Sequence, residues 1–506
     1  MNDVPGQKQP AASHRSRGDA CHASSPEGAL LARPTARTGQ IHHTMKKVRR
    51  LLPLLLLLVI FPGCMTYYQR QQEFHGHFRQ GRLEEAARVL ENDRRGERRR
   101  TRLLHLMNQG VVNHMMGHYR ESNEFFEEAY RVGQDFRRTA GDQALTLLVN
   151  PSVTEYRGEP FELLMIHYYK AMNFLHLGDF DAALVECRRL NIALNELSDR
   201  FRSENRYRRD AFVHNLMGII YDASGDYNNA FIAYRNALEI YEDDYQRLFG
   251  IGPPEQLKHD LLRAAHRTGF RDQVRHFEER FGMRFEESRT LDEGELVFFW
   301  QNGLGPVKDE FSINFTIVRG SGGAVHFVNE EHGLSFPVPV SQKASDDLGD
   351  LRVIRVAFPK YVERELVYQN ARLHAGGQTR ELNLAQDLNA VAFQALNDRM
   401  LQEMGTALLR LAIRQAAEQR IRKEDETVGA IFGILGAVAE RADTRNWQTL
   451  PHSIYYGRMA LPPGQHRLEL ELILPNGHTA RSLNLETEIR SRRTTFKNFH
   501  TVTSRR

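Results

Sequence analysis

The chain has 506 residues, 41% hydrophobic and 26% charged, with 37 Gly, 18 Pro and 3 Cys, which excludes a wholly disordered, collagen-like or disulfide-stapled protein. Residues 1–63 hold 9 Lys/Arg against 3 Asp/Glu, so the leader carries +6 and the rest −2 of the formal net charge of +4. A protein built for nucleic acid would carry its positive charge on the folded part, so no nucleic-acid partner is expected.

Residues 1–44 are polar, lack a hydrophobic period and read as an upstream translation of non-coding sequence or a disordered extension. From Met45, the basic run Lys46-Lys47-Val48-Arg49-Arg50 precedes an apolar stretch from Leu51 to Phe61, then Pro62-Gly63-Cys64, the layout of a secretory signal over 45–63. Pro53 and Pro62 interrupt a stretch too short for a transmembrane helix, which needs about 20 apolar residues. Gly63-Cys64 resembles the lipobox of bacterial lipoproteins. That resemblance implies cleavage before Cys64 and acylation of its thiol and amine, a covalent lipid being the only prosthetic group expected. Met65 in place of Asp after the cysteine implies, by the sorting rules of such lipoproteins, an outer-membrane anchor facing the periplasm. Cys187 is then the one remaining thiol, and it falls at a large second-helix position where a buried, inert side chain is expected.

Residues 64–285 predict an all-α half built from repeated helical hairpins. The text Asn215-Leu216-Met217-Gly218, Tyr221, Gly225-Asp226-Tyr227, Ala230, Tyr234, Ala237 places small residues where two helices touch and Gly-Asp at the turn. It resembles a tetratricopeptide (TPR) unit. Further units run through Gly110, Gly117 and Ala129, and through Ala171, Gly178 and Ala183, with weaker ones at Gly81–Leu90 and Gly269–Phe281. Long inserts at 139–160 and 198–209 make the array irregular. Such hairpins stack into a superhelix whose first helices line a concave groove. The groove-facing candidates are Met107, Val111, His114 and Met115, then Tyr168, Met172, Leu175 and His176, then Asn215, Ile219 and Asp222. Either an extended peptide or partner helix, or an extra helix of the same chain, would fill that strip. His75 and His77 lack a third metal ligand and read as a solvated helix, so no metal is expected. The arginines at 94, 95, 98, 99, 100 and 102 read as a solvated face between repeats, with contact to anionic lipid as the alternative.

From residue 286 the period falls to two. Residues 286–384 predict strands at Glu295–Trp300, Phe311–Ile317, Ala324–Asn329, Arg352–Phe358, Glu365–His374 and Thr379–Leu384, with hairpin turns at Asn302–Pro306 and Gly376-Gly377. Residues 385–440 return to helix, striped by Leu401, Met404, Leu408 and Leu411, and end in a stretch at Ile431–Val438 that reads as buried helix. Residues 441–506 close with a hairpin around Pro475-Asn476-Gly477. The fold class is therefore α + β multidomain: a TPR-like superhelix followed by a β-rich, sandwich-like region interrupted by a long helical insertion.

The segments Gly294–Val297, Asn302–Lys308 and Ala442–Pro451, with the TPR units and the lipobox, resemble an uncharacterised family of bacterial TPR-repeat lipoproteins. The resemblance implies architecture and address, and brings no activity or site residues. The chain shows no Gly-x-Ser-x-Gly elbow, His-Glu-x-x-His helix, Walker loop or Rossmann fingerprint, so a non-enzymatic scaffold without cofactor is expected, bound to an envelope protein partner. The competing expectation is a glycan-binding protein or envelope enzyme using the β-rich half, with Trp300 and Trp447 as an aromatic platform.

Overall fold

Each helical hairpin follows from a short sequence device. In the hairpin α8 (Ala211–Ala223) and α9 (Tyr227–Ile240), Asp210 and Asp226 cap the two helices by accepting from the amides of Val213 and Asn229 at 2.9 and 3.1 Å. Gly225, at φ 83°, turns the chain between them. A Cβ on Gly218 would stand 2.4 Å from the Tyr234 ring, so glycine is what lets the two helices close. A glycine at positive φ, Gly81, Gly117, Gly178 and Gly269 in turn, likewise stands between α2 (Gln72–Arg79) and α3 (Leu83–Glu91), α4 (Arg102–Met115) and α5 (Tyr119–Thr139), α6 (Pro160–Leu177) and α7 (Phe180–Arg200), and α11 (Glu255–Thr268) and α12 (Arg271–Phe281). Two short helices, α1 (Tyr67–Arg70) and α10 (Gln246–Phe249), and a π-helical turn at Tyr241–Tyr245 complete the helical array among the described residues.

The computed structural model describes residues 67–139, 154–200, 209–286, 290, 292–319, 324–339, 353–424 and 441–503. The leader, the signal, Cys64, most of both long inserts and Ile431–Val438 lie outside these residues. Tyr67–Arg506 forms one compact unit.

The β-rich part holds three four-stranded sheets among the described residues. In the first, β1 (Gly294–Asn302) pairs in parallel with β12 (Thr494–Thr501) and antiparallel with β9 (Ser453–Leu461), and β8 (Asn383–Asp387) closes the far side. The second runs β11 (Thr479–Ile489), β10 (Gly464–Ile473), β6 (Asn370–Ala375), β7 (Gln378–Glu381). The third runs β4 (Leu334–Pro339), β3 (Ala324–Asn329), β2 (Val307–Arg319), β5 (Val353–Val362). The long helix α13 (Leu388–Glu424) packs Met404, Leu408 and Leu411 against Phe315, Phe327 and Phe358 of that third sheet.

Both central strands of the first sheet are buried along their whole length, β1 and β9 alike. The strand period of two divides their side chains between two cores. Leu296, Phe298, Trp300 and Met459 face the second sheet and make the sandwich, whereas Val297, Phe299, Ile454 and Tyr456 share a core with the helices.

Three expectations are corrected here. Asn302–Pro306 is not a hairpin turn: β1 and β2 belong to different sheets, and Gly303 and Gly305 donate their amides to the carbonyls of Thr501 and Leu450, both at 2.8 Å. Leu401 lies on the solvent side of α13, 66% exposed, because the stripe that meets the sheet starts at Met404. His75 is buried beside Phe74, and burial holds its imidazole down at about 3. Strand β4, absent from the strands expected from the sequence, carries two prolines within six residues.

Candidate functional site

Most of the residues that the repeat spacing assigns to the concave face are buried against the chain's own first sheet. Met107, Val111, Met172, Leu175 and Ile219 are buried in a core shared with Val297, Phe299, Trp447, Tyr456 and Phe496, and Met115 packs at its border. The expectation of a groove open to a partner is corrected. The occupant is a sheet of the same chain, because β1 and β9 present a second apolar face that the sandwich leaves uncovered.

The polar groove residues are all answered from that sheet. Gln301 donates to the Tyr168 hydroxyl at 3.1 Å, and the Tyr456 hydroxyl donates to Asn215 Oδ1 at 3.5 Å. Asn498 of β12 reaches two histidines with one amide. Its Nδ2 donates to His114 Nε2 at 2.8 Å, and its Oδ1 accepts from His176 Nε2 at 2.6 Å. His114 Nδ1 then donates to Asn173 Oδ1 at 2.6 Å. Burial lowers His114 to about 4, and burial with the nearby His114 lowers His176 to about 3, so both rings are neutral.

At the third unit the joint is ionic. Arg458 of β9 lies 3.2 Å from Asp222, 3.2 Å from Asp260 and 2.9 Å from Glu295, while Arg263 also pairs with Asp222 and Asp260. Arg267 stands 3.6 Å from Asp222. Three carboxylates therefore meet three guanidiniums in the interior, which keeps the cluster neutral where unpaired charge would cost several kcal/mol (roughly) per ion. Tyr234 closes it, its hydroxyl accepting from Arg458 Nη2 at 3.2 Å. The sequence singled out Asp222 alone. The signal for the rest was Glu295 and Arg458, charged residues inside otherwise apolar strands and on the face that β1 and β9 turn to the helices.

A second joint gathers at the start of α6. Glu159 and Glu162 form a capping box, with Pro160 opening the helix. Lys308 of β2 and Arg399 of α13 both bind Glu159. Glu162 accepts from the amides of Trp447 at 2.6 Å and Glu159 at 2.9 Å, and from the Tyr156 hydroxyl. Burial, then the neighbouring Glu159, raises Glu162 to about 7. Burial also works against ionisation of Glu159, yet Arg399 and Lys308 outweigh it and hold that carboxyl near about 2.

Trp447 belongs to a strap, 443–450, laid across the array. Arg445 donates to the carbonyls of Arg100 and Thr154 at 2.9 and 3.0 Å, Thr449 bonds Asn108 at 2.9 Å, and the indole packs beside Phe126 and Tyr169. Trp300 is equally interior, its Nε1 donating to Thr501 at 3.1 Å. Neither tryptophan offers a face to a sugar, which corrects the aromatic-platform expectation. Cys187 is buried, and burial pushes its thiol well up. Among the described residues no group of three or more His, Cys, Asp or Glu is placed to hold a metal ion.

The surface formed by the described residues carries, among others, two clefts. One, of about 650 Å³, lies between the C-terminal ends of α6 and α8 and the turn after β11, where Arg490, Arg492 and Arg493 stand beside Gly178 and Ser224. Those arginines complement the negative ends of two helices. The other, of about 590 Å³, is bounded by β5, one face of α13, residues 154–159 and residues 441–443, with Glu159, Lys308 and Arg399 at its wall.

No protein-family model matches the chain, and no curated protein matches it. Among solved structures, MamA is similar over 42% of this chain and 87% of its own, at 14% identity and a TM-score of 0.28. The apo form of RapI is similar over 48% of this chain and 57% of its own, at 13% identity and a TM-score of 0.33. A Podosopora anserina kinesin light chain with nearly identical TPR-like repeats covers 42% of this chain and 90% of its own, at 16% identity and a TM-score of 0.28.

Proposed function

We propose that this chain is a non-enzymatic scaffold of the bacterial envelope. It is acylated at Cys64, held at the periplasmic face of the outer membrane, and binds a protein partner in envelope assembly. The observation that carries this reading is that ionisable groups buried between the helical array and the β-rich part serve as joints. Asp222, Asp260 and Glu295 meet Arg263 and Arg458, Glu159 meets Lys308 and Arg399, and Glu162 closes the strap. A joined helical array and β body present a stiff outer surface, which suits recognition of a macromolecule.

The test is in-cell cross-linking of a C-terminally tagged chain, followed by mass spectrometry of what co-purifies from detergent-solubilised membranes. One dominant envelope protein is expected; glycan fragments or lipid without a protein would overturn the scaffold reading. Palmitate labelling of the chain is expected and should vanish in Cys64→Ala; labelling that persists in that variant would remove the anchor.

A further inference from the structure

The cleft beside β5 is built from an edge strand and a helix. β5 is the last strand of its sheet, paired with β2 from Val353 to Val362 on one side. Among the described residues no strand pairs with its other side. Val356, Ala357, Phe358 and Pro359 line the cleft along that free edge. Alternate main-chain amides and carbonyls of an edge strand point outward and accept a further strand. Pro359 has no N–H and so donates to no added strand.

The facing wall is α13. Gln402, Thr406 and Ala407 line the cleft at helical spacing, with Arg399 and Arg410 at the two ends of the same face. Met404, Leu408 and Leu411, on the adjoining face, are locked into the sheet core, so the helix stands at a fixed distance from the strand. Small side chains at 406 and 407 leave room between them. At about 3.4 Å per residue, the four strand positions match four or five residues of extended chain.

The charge of the cleft selects the occupant. Its carboxylates are already engaged: Glu159 by Lys308 and Arg399, Glu403 by Arg399, Glu155 by Arg99 and Asp443 by Arg445. Arg157 and Arg441, both exposed at the rim, have no ion-pair partner among the described residues.

We propose that this cleft binds an extended, acidic segment of a partner protein, which adds as a strand to the free edge of β5 while its Asp or Glu side chains pair with Arg157 and Arg441. The proposal rests on the scaffold reading above and names the surface and the chemistry of the partner.

The test places a photo-cross-linking amino acid at position 406 of the full chain in cells and reads the attached segment by mass spectrometry. Thr406→Trp and the pair Arg157→Glu with Arg441→Glu are made on the tagged chain without the cross-linker. All these positions lie at the surface of the cleft, and unchanged melting temperatures check that the variants fold. The expected result is a cross-link to an acidic, non-helical segment of one envelope protein, with capture of that protein reduced at least tenfold in both variants. Capture of the same protein at full level by both variants would overturn the cleft and leave the scaffold reading standing. A cross-link to this chain's own residues, or to a basic segment, would also overturn the cleft proposal. Absence of any protein partner would overturn both readings. In vitro, a labelled peptide alternating Val with Glu is expected to bind the full chain, and one alternating Val with Lys is not; equal binding of the two contradicts the proposal.

Discussion

The guanidinium of Arg458, on the central strand β9, lies 3.2 Å from the carboxylate of Asp222, on helix α8, with both side chains buried. That contact joins two parts of the chain more than two hundred residues apart. Truncating Arg458 leaves three buried carboxylates facing two guanidiniums. We expect Arg458→Met to lower stability by about 3–5 kcal/mol in urea unfolding, as for other broken buried pairs. Adding Asp222→Asn should recover part of that loss, because it restores the balance of charge. A fully additive double variant would contradict the pairing.

Gly218 and Gly225 should fail for different reasons. Gly218→Ala drives a methyl into the Tyr234 ring and should cost about 1–3 kcal/mol, partly recovered by Tyr234→Leu. Gly225→Ala meets open space but must hold φ 83°, costing about 1–2 kcal/mol, with no recovery from Tyr234→Leu. Thermal melts of the four variants separate the two causes.

Acid should loosen the protein through its neutral histidines. Burial lowers His114 and His500 to about 4 and His75 and His176 to about 3, against 6.5 in the unfolded chain. Below pH 6.5 the unfolded state binds protons that the fold refuses. Their stabilisation is therefore present above pH 6.5 and falls as the pH drops toward 4, by about 1.4 kcal/mol per pH unit for each ring. His114→Gln removes one such proton and should make the slope between pH 6.5 and 5 shallower by that amount. An unchanged slope would show that His114 is charged in the fold.

Glu162 acts with the opposite sign. Its carboxyl is raised to about 7 from 4.5, so its contribution is full below pH 4.5 and lost as pH rises through 7. Glu159, held near about 2, is ionised in both states over that window and adds no slope. The stability difference between the wild type and Glu162→Gln should therefore move in favour of the wild type as pH falls from 8 to 5. A difference independent of pH would place the Glu162 proton elsewhere.

Much of the fold was legible in local spacing. Gly218 opposite Tyr234, Gly225-Asp226 at the turn, and the small-large alternation of the hairpins are local devices, each completed within about 35 residues by helix geometry alone. The eleven groove candidates rest on the same local logic, because a repeat spacing assigns one side of each first helix to the concave face. The segment Glu295–Trp300 reads as a strand from its apolar run alone, and its burial on both faces is set by the structure.

What filled the groove was decided only by tertiary structure. An apolar strand has two faces, and the sequence does not say what each will meet. Phe298 and Phe299 are adjacent in the chain, yet one packs into the sandwich and the other into the helices. The same holds for Trp447, an aromatic in a polar segment that reads as exposed until Glu162, 285 residues earlier, accepts its amide. Pairing partners at such separations are chosen by the burial of whole faces, and this choice turned a concave surface shaped for a partner into the interior of one body.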